Sequence, residues 1–281
     1  MIRTPPGWGA DMLTQAYQSV TSARPGWLLN PPGTVEVRRI GLADLKWALQ
    51  RGVEDFAASR TDIAFLCIVY PLVGLLLARV AFGYDMLPLL FPLASGFALI
   101  GPLAAVGLNE MSRRRELGIP NGWSDAFAPF RSPAIGGIIL LGLGLLMMLM
   151  FWLVLSNVVY DLTLGPQPPV SVAAFAHNVI FTRAGRAMAL IGISSGFVLA
   201  VIALTVSVVS FPMLLDRNVS LETAIRTSAK AVAANPVVMA TWGLVIVAGL
   251  VIGSIPLLLG LIIVMPVLGH ATWHLYRRVV V

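Results

Sequence analysis

The sequence predicts an all-α polytopic membrane protein: six transmembrane helices in three hairpins, each hairpin preceded by a cytoplasmic amphipathic helix. Two observations predict the class. Of the 281 residues, 58% are hydrophobic and only 11% charged, against about 25% charged in soluble domains, and the mean hydropathy is +0.86. The charges are also segregated. None occurs from Met86 to Asn109, from Ser132 to Tyr160 or from Ala187 to Leu215, and from Ala231 to Val279 there are only Arg277 and Arg278. A third observation predicts the arrangement: a shift of 164 residues lays Pro92, Gly96, Pro102, Arg113 and Arg114 on Pro256, Gly260, Pro266, Arg277 and Arg278.

Crossing the hydrocarbon core takes about 20 apolar residues. The uncharged runs supply spans at 62–83, 88–109, 133–158, 187–211, 236–255 and 257–276, with Ser254, Ile255 and Pro256 turning the last hairpin. Residues 1–37 contain PPGW, RPGW and NPPG but no apolar run of signal-peptide length, so they read as a disordered cytoplasmic arm ahead of a membrane domain at 38–281.

Before the first span, Leu42, Leu45, Leu49, Val53 and Phe56 recur three or four residues apart, with Asp44, Lys46, Gln50, Arg51, Glu54 and Asp55 between them. That is an amphipathic helix for the membrane interface. Before the fifth span, Ser220 is placed to cap a helix with Leu221, Ile225, Ala229 and Val232 on one face, and Asn235-Pro236 ends it. "NGWSDAFAPFRSP", before the third span, is a shorter, proline-broken counterpart. Between the third and fourth spans lies a long connection, 159–182, in which "VSVAAFAHNVIF" predicts a short interfacial helix. It offers only His177 and Asp161 as reactive groups, and packing is its expected role.

The pI near 10.1 would point to nucleic acid in a soluble protein. Here it is topological: sixteen of the 19 Lys and Arg residues lie on one side of the six spans, leaving Arg79, Arg183 and Arg186 on the other. The positive-inside rule places both termini in the cytoplasm, and arginine's dominance over lysine points to a GC-rich bacterium and hence an inner membrane. Cys67 is the only cysteine, so no disulfide framework exists, and its expected role is apolar packing.

Candidate sites are few. His270 and His274 are four apart and share a helix face. The 164-residue shift sets Glu110 opposite His274, so a Glu110–His274 contact that titrates near neutral pH is the sharp reading. The plainer reading, and the expectation, is that both histidines mark the interfacial end of a helix, next to arginines that reach the headgroups; a metal would need further ligands. The repeat markers Pro92, Pro102, Pro256 and Pro266 predict kinked or loosened spans. Gly192 and Gly196, four apart in the fourth span, predict close helix packing. The spans carry no ionisable residue at mid-depth, which disfavours an ion-coupled carrier. Asn157 is expected to hydrogen-bond to a neighbouring helix, and the methionines of "MMLMFW" lack the spacing of a copper site.

The stretches "GLADLKWALQRGVEDF", "FPLASGFALIGPLAAVGLNEMSRRRELG" and "SLETAIRTSAKAVAANP…MPVLGHATWHLYRR" resemble a bacterial integral-membrane family known as domain of unknown function 2189, over residues 38–280. Members are sometimes labelled cytochrome c oxidase subunit I-like. The resemblance implies six helices in an inner membrane and no established activity. Three histidines cannot furnish the six ligands of a haem–copper subunit, so the catalytic-subunit reading fails. The expectation is a non-enzymatic scaffold, accessory or assembly component of a membrane complex, without cofactors. Its partners would be membrane lipids and other membrane subunits or a second copy, and not nucleic acid. The alternative is a lipid- or hydrophobic-solute-binding protein, and a third is a redox protein related to respiratory oxidases.

Overall fold

The structure, a computed structural model, describes residues 35–59, 87–120, 122–256 and 259–281. The first predicted span, with Cys67, and residues 1–34 of the N-terminal arm lie outside the described residues.

Among these residues the regular secondary structure is helical. Helix α1 covers 42–59. A single 3-10 turn, Leu87–Leu89, leads into α2, Leu90–Ala104, and α3, Val106–Glu116. A second 3-10 segment, Trp123–Arg131, forms at the proline-broken stretch "NGWSDAFAPFRSP". The remaining helices are α4, Ile135–Thr163; α5, Val172–Phe181; α6, Arg183–Ser207; α7, Ser210–Asp216; α8, Leu221–Ala234; α9, Pro236–Ser254; and α10, Leu261–Val279.

Among the described residues three segments are long and apolar enough to cross a membrane: Ile135–Thr163, Arg183–Asp216 and Pro236–Ser254. These are the third, fourth and fifth predicted spans. The second departs from prediction and divides into α2 and α3 at Ala105, where the helical pattern gives way to a turn. Pro102 lies inside α2, three residues before this break. The sixth corresponds to α10, whose second half is occupied by histidines, arginines and buried aromatic residues rather than by lipid-facing aliphatics.

The apolar helices face outward over much of their surface, Leu244 being 69% exposed. The tightest packing lies at the arginine-rich end. There Trp273, Tyr276, Leu275 and Val279 of α10 are buried among Phe211 and Met213 of α7, Ala224 and Ala231 of α8, and Leu45 and Ala48 of α1. Three helices begin on side-chain caps of the kind that satisfies an otherwise orphaned N–H: Ser171 accepts from Ala174, Thr182 from Gly185, and Ser220 from Thr223.

Of the three stretches read as amphipathic entries, the first and last are α-helical, with the buried stripe turned from the large aliphatic residues toward small ones. In α1 it comprises Leu45, Ala48, Gly52 and Asp55, while Leu42 and Val53 are exposed. In α8 it comprises Ala224, Thr227, Ser228 and Ala231, with Leu221, Ile225 and Val232 partly buried on the flanks. Small residues let one backbone approach another, so they occupy the contact line. A Cβ on Gly52 would meet the Val267 carbonyl oxygen of α10 at 2.7 Å.

Residues 35–37 belong to the stretch predicted as a disordered arm. They are extended along the C-terminal tail, where Val37 bridges Val280, the Arg38 N–H donates to the Val279 carbonyl and the Val281 N–H to that of Glu36. Asn235, at the α8–α9 junction, accepts from the Ile40 N–H at 2.7 Å and donates to the Arg38 carbonyl at 3.0 Å.

Candidate functional site

Two features meet at the bend between α2 and α3: a buried polar cluster on one side of α10 and an apolar cavity on the other.

The cluster centres on Asp55. The turned face of α1 points this carboxylate into the protein, where it is buried. Ser112 Oγ donates to Asp55 Oδ2 at 2.6 Å, and His274 Nε2 donates to the same oxygen at 2.8 Å. Arg115 reaches Oδ1 at 2.8 Å and holds the Glu54 carbonyl at the same length. His270 Nδ1 lies 2.7 Å from Ser112 Oγ. The Ser112 proton already serves Asp55, so His270 Nδ1–H is the donor there. His270 Nε2 is buried without a hydrogen-bond partner among the described residues. Burial pushes the Asp55 carboxyl up, but the bonds from His274 and Ser112, with the histidine charges, together hold it below the ordinary range.

This corrects two expectations. His270 and His274 are 1% and 8% exposed, so they belong to the interior and do not meet headgroups. The partner of His274 is Asp55, reached from a different helix, whereas Glu110 stands against Arg113 at 3.6 Å on its own helix. The arginines predicted to reach the headgroups are paired with carboxylates of the protein, Arg277 while staying exposed. Arg114 pairs with Asp125, Arg277 with Glu116 and Asp216, and Arg278 with Asp44 while lying 4.0 Å above the Trp47 ring. Tyr276 and Trp273 add hydrogen bonds to Asp216 and Glu116. Apolar spacing alone places Asp55 on the wet face, and its separation of 57 residues from Ser112 hides the contact.

Across α10, residues Met265, Leu268, Gly269 and Thr272 turn to the cavity, which has a volume of about 550 Å³. That lies within the range of about 300–1,000 Å³ usual for small-molecule sites. Its walls are α2, α3, α6, α7, α9 and α10, with no charged side chain among the described lining residues. Gly101, Pro102 and Ala105, at the bend, and Pro212, at the start of α7, form part of the wall. The small residues along these walls leave the gap unfilled. The lining hydroxyls are occupied within their own helices: Ser207 bonds to the Ala203 carbonyl and Thr272 to that of Leu268. Asn109 is the exception, 1% exposed with Oδ1 lacking a hydrogen-bond partner.

The other predicted positions separate. Gly196 packs on Trp152, whose indole donates to Ser95 of α2, whereas Gly192 has no neighbour within 4 Å of a Cβ position. Pro266 is buried inside α10, Pro92 is buried in α2, and Pro256 lies in the turn before α10. Asn157 donates to Asp161 on its own helix rather than to a neighbouring one. Among the described residues no group of three or more His, Cys, Asp and Glu side chains is placed to hold a metal.

Residues 90–216 match the model of a family described as predicted integral membrane protein (DUF2189), a shorter stretch than the resemblance read from the sequence. No curated protein and no solved structure is a significant match to the chain.

Proposed function

We propose that this integral membrane protein binds a lipid or another hydrophobic solute in the cavity between α2, α3, α6, α7, α9 and α10. The observation that carries this reading is the cavity itself: about 550 Å³, walled mainly by apolar side chains, beside the breaks that separate α2 from α3 and α6 from α7. Filling it with an apolar molecule restores the dispersion contacts its lining lacks. In this reading the chain performs no covalent chemistry. It spans an inner membrane six times, with both termini and the arginine-rich end in the cytoplasm, so the cavity sits toward the cytoplasmic leaflet.

Trp242 lines the cavity and serves as its reporter. Adding a brominated alkane to delipidated protein in detergent is expected to quench a component of the fluorescence that is missing in Trp242→Phe. Equal quenching in the two proteins would count against binding in the cavity.

A second reading, as a scaffold or accessory subunit, is favoured by the bare outward positions at Gly144 and Gly192. Small residues on a lipid-facing surface suit contact with another helix. Recovery of the same membrane protein, or of a second copy, with wild type but not with Gly192→Leu after gentle solubilisation supports it.

A further inference from the structure

Resting on the cavity reading, we propose that the ligand carries a single uncharged hydrogen-bonding headgroup, a hydroxyl, and that Asn109 recognises it. The ligand is then a long-chain alcohol in the chemical sense, an aliphatic chain ending in OH.

The position of Asn109 leads to this class. It lies in the first turns of α3, immediately beyond the bend, and faces the cavity at its arginine-rich end. Its Oδ1 is buried and bonded to nothing among the described residues. A buried amide oxygen without a donor is destabilised by its lost hydration, so a ligand that supplies a donor gains what the empty site forfeits. A hydroxyl both donates and accepts, and therefore serves the amide in either orientation.

Charge argues against an ionic headgroup. The lining residues carry none, and the cations next along α3 are engaged: Arg113 with Glu110, Arg114 with Asp125, Arg115 with Asp55. A carboxylate or phosphate at Asn109 would be desolvated without a counter-ion, at a cost no single amide offsets. The remainder of the cavity suits a chain. It follows α2 back from Asn109 to Ala98 and α9 from Ala240 to Leu250, about 15 Å of helix at 1.5 Å per residue.

The test uses the full-length protein in detergent with three probes of equal chain length: dodecanol, dodecane and laurate above pH 8, each corrected for its partition into the micelle. Wild type is expected to bind dodecanol about tenfold more tightly than dodecane, the size of one buried hydrogen bond, and laurate more weakly than either. In Asn109→Leu the dodecanol preference should vanish while dodecane binding remains, which also shows the cavity intact; Asn109→Ala gives the same comparison should the leucine variant fail to assemble. Equal binding of dodecanol and dodecane by wild type overturns the headgroup assignment and leaves the cavity reading standing. So does a preference that survives both variants, or laurate binding as tight as dodecanol. If no probe binds, the cavity reading falls and this inference with it.

Discussion

Asp55 shows how a single side chain joins separate parts of the chain. It lies on α1, its donors Ser112 and Arg115 on α3 and His274 on α10, and His270 completes the set through Ser112. A buried carboxylate is tolerable only when its lone pairs are filled, and here one oxygen takes two donors and the other takes arginine. Replacement by alanine leaves Ser112 and His274 without their acceptor. At neutral pH, Asp55→Ala is expected to cost about 3 kcal/mol, or roughly 6–12 °C in thermal midpoint. The sign of the pH dependence follows from the lowered carboxyl. Its contribution is complete above the ordinary value of 3.8 and is lost as pH falls through the lower folded value. The gap between wild type and Asp55→Ala in a pH series of melting curves should therefore close only below about pH 4. A gap that closed between pH 6 and 7 would show that histidine titration governs the cluster.

At the scale of the element, α1 and α8 explain what could be read from sequence and what could not. Their positions and helical character followed from apolar spacing, and the Ser220 cap formed where expected. The contact faces did not follow, because periodicity weights large aliphatic residues whereas close helix contact selects small ones. Leu42 and Val53 were therefore assigned inward and Asp55 outward. The cavity was legible only through its prolines: spacing marks where a helix loosens, but not whether a neighbour fills the gap. Likewise His270 and His274 were identified as a pair, while their partners came from helices remote in sequence. Gly52→Leu tests the small-residue contact. The added side chain would strike the α10 backbone near Val267 and Ala271, so α1 should be displaced and trypsin cleavage at exposed Arg51 accelerated several-fold. Ser220→Ala, which removes only a cap, should cost about 1 kcal/mol and leave cleavage at Arg51 unchanged. The helix lengths differ in the same physical terms. The 19 residues of α9 measure about 29 Å and match a hydrocarbon core of about 30 Å. The 29 residues of α4 reach about 44 Å, so α4 must tilt or project beyond the core.

The whole molecule joins a tightly packed, ion-paired layer at its arginine-rich end to outward-facing apolar helices that leave space between them. The two parts share α3 and α10. Each helix presents one face to the Asp55 cluster and another to the cavity, as Ser112 and Asn109 do on α3 and His270 and Gly269 on α10. The cluster thus fixes the helices that form the cavity's polar end, and binding there needs no charge from the surrounding arginines. The most direct test of this account is native mass spectrometry of protein extracted from its own membrane in mild detergent. Wild type should retain an apolar molecule in stoichiometric amount. Gly243→Phe, which projects a ring into the cavity, should be recovered folded but without it. Lipid-free wild type, or equal retention by the filled variant, would contradict the assignment of the cavity as a binding site.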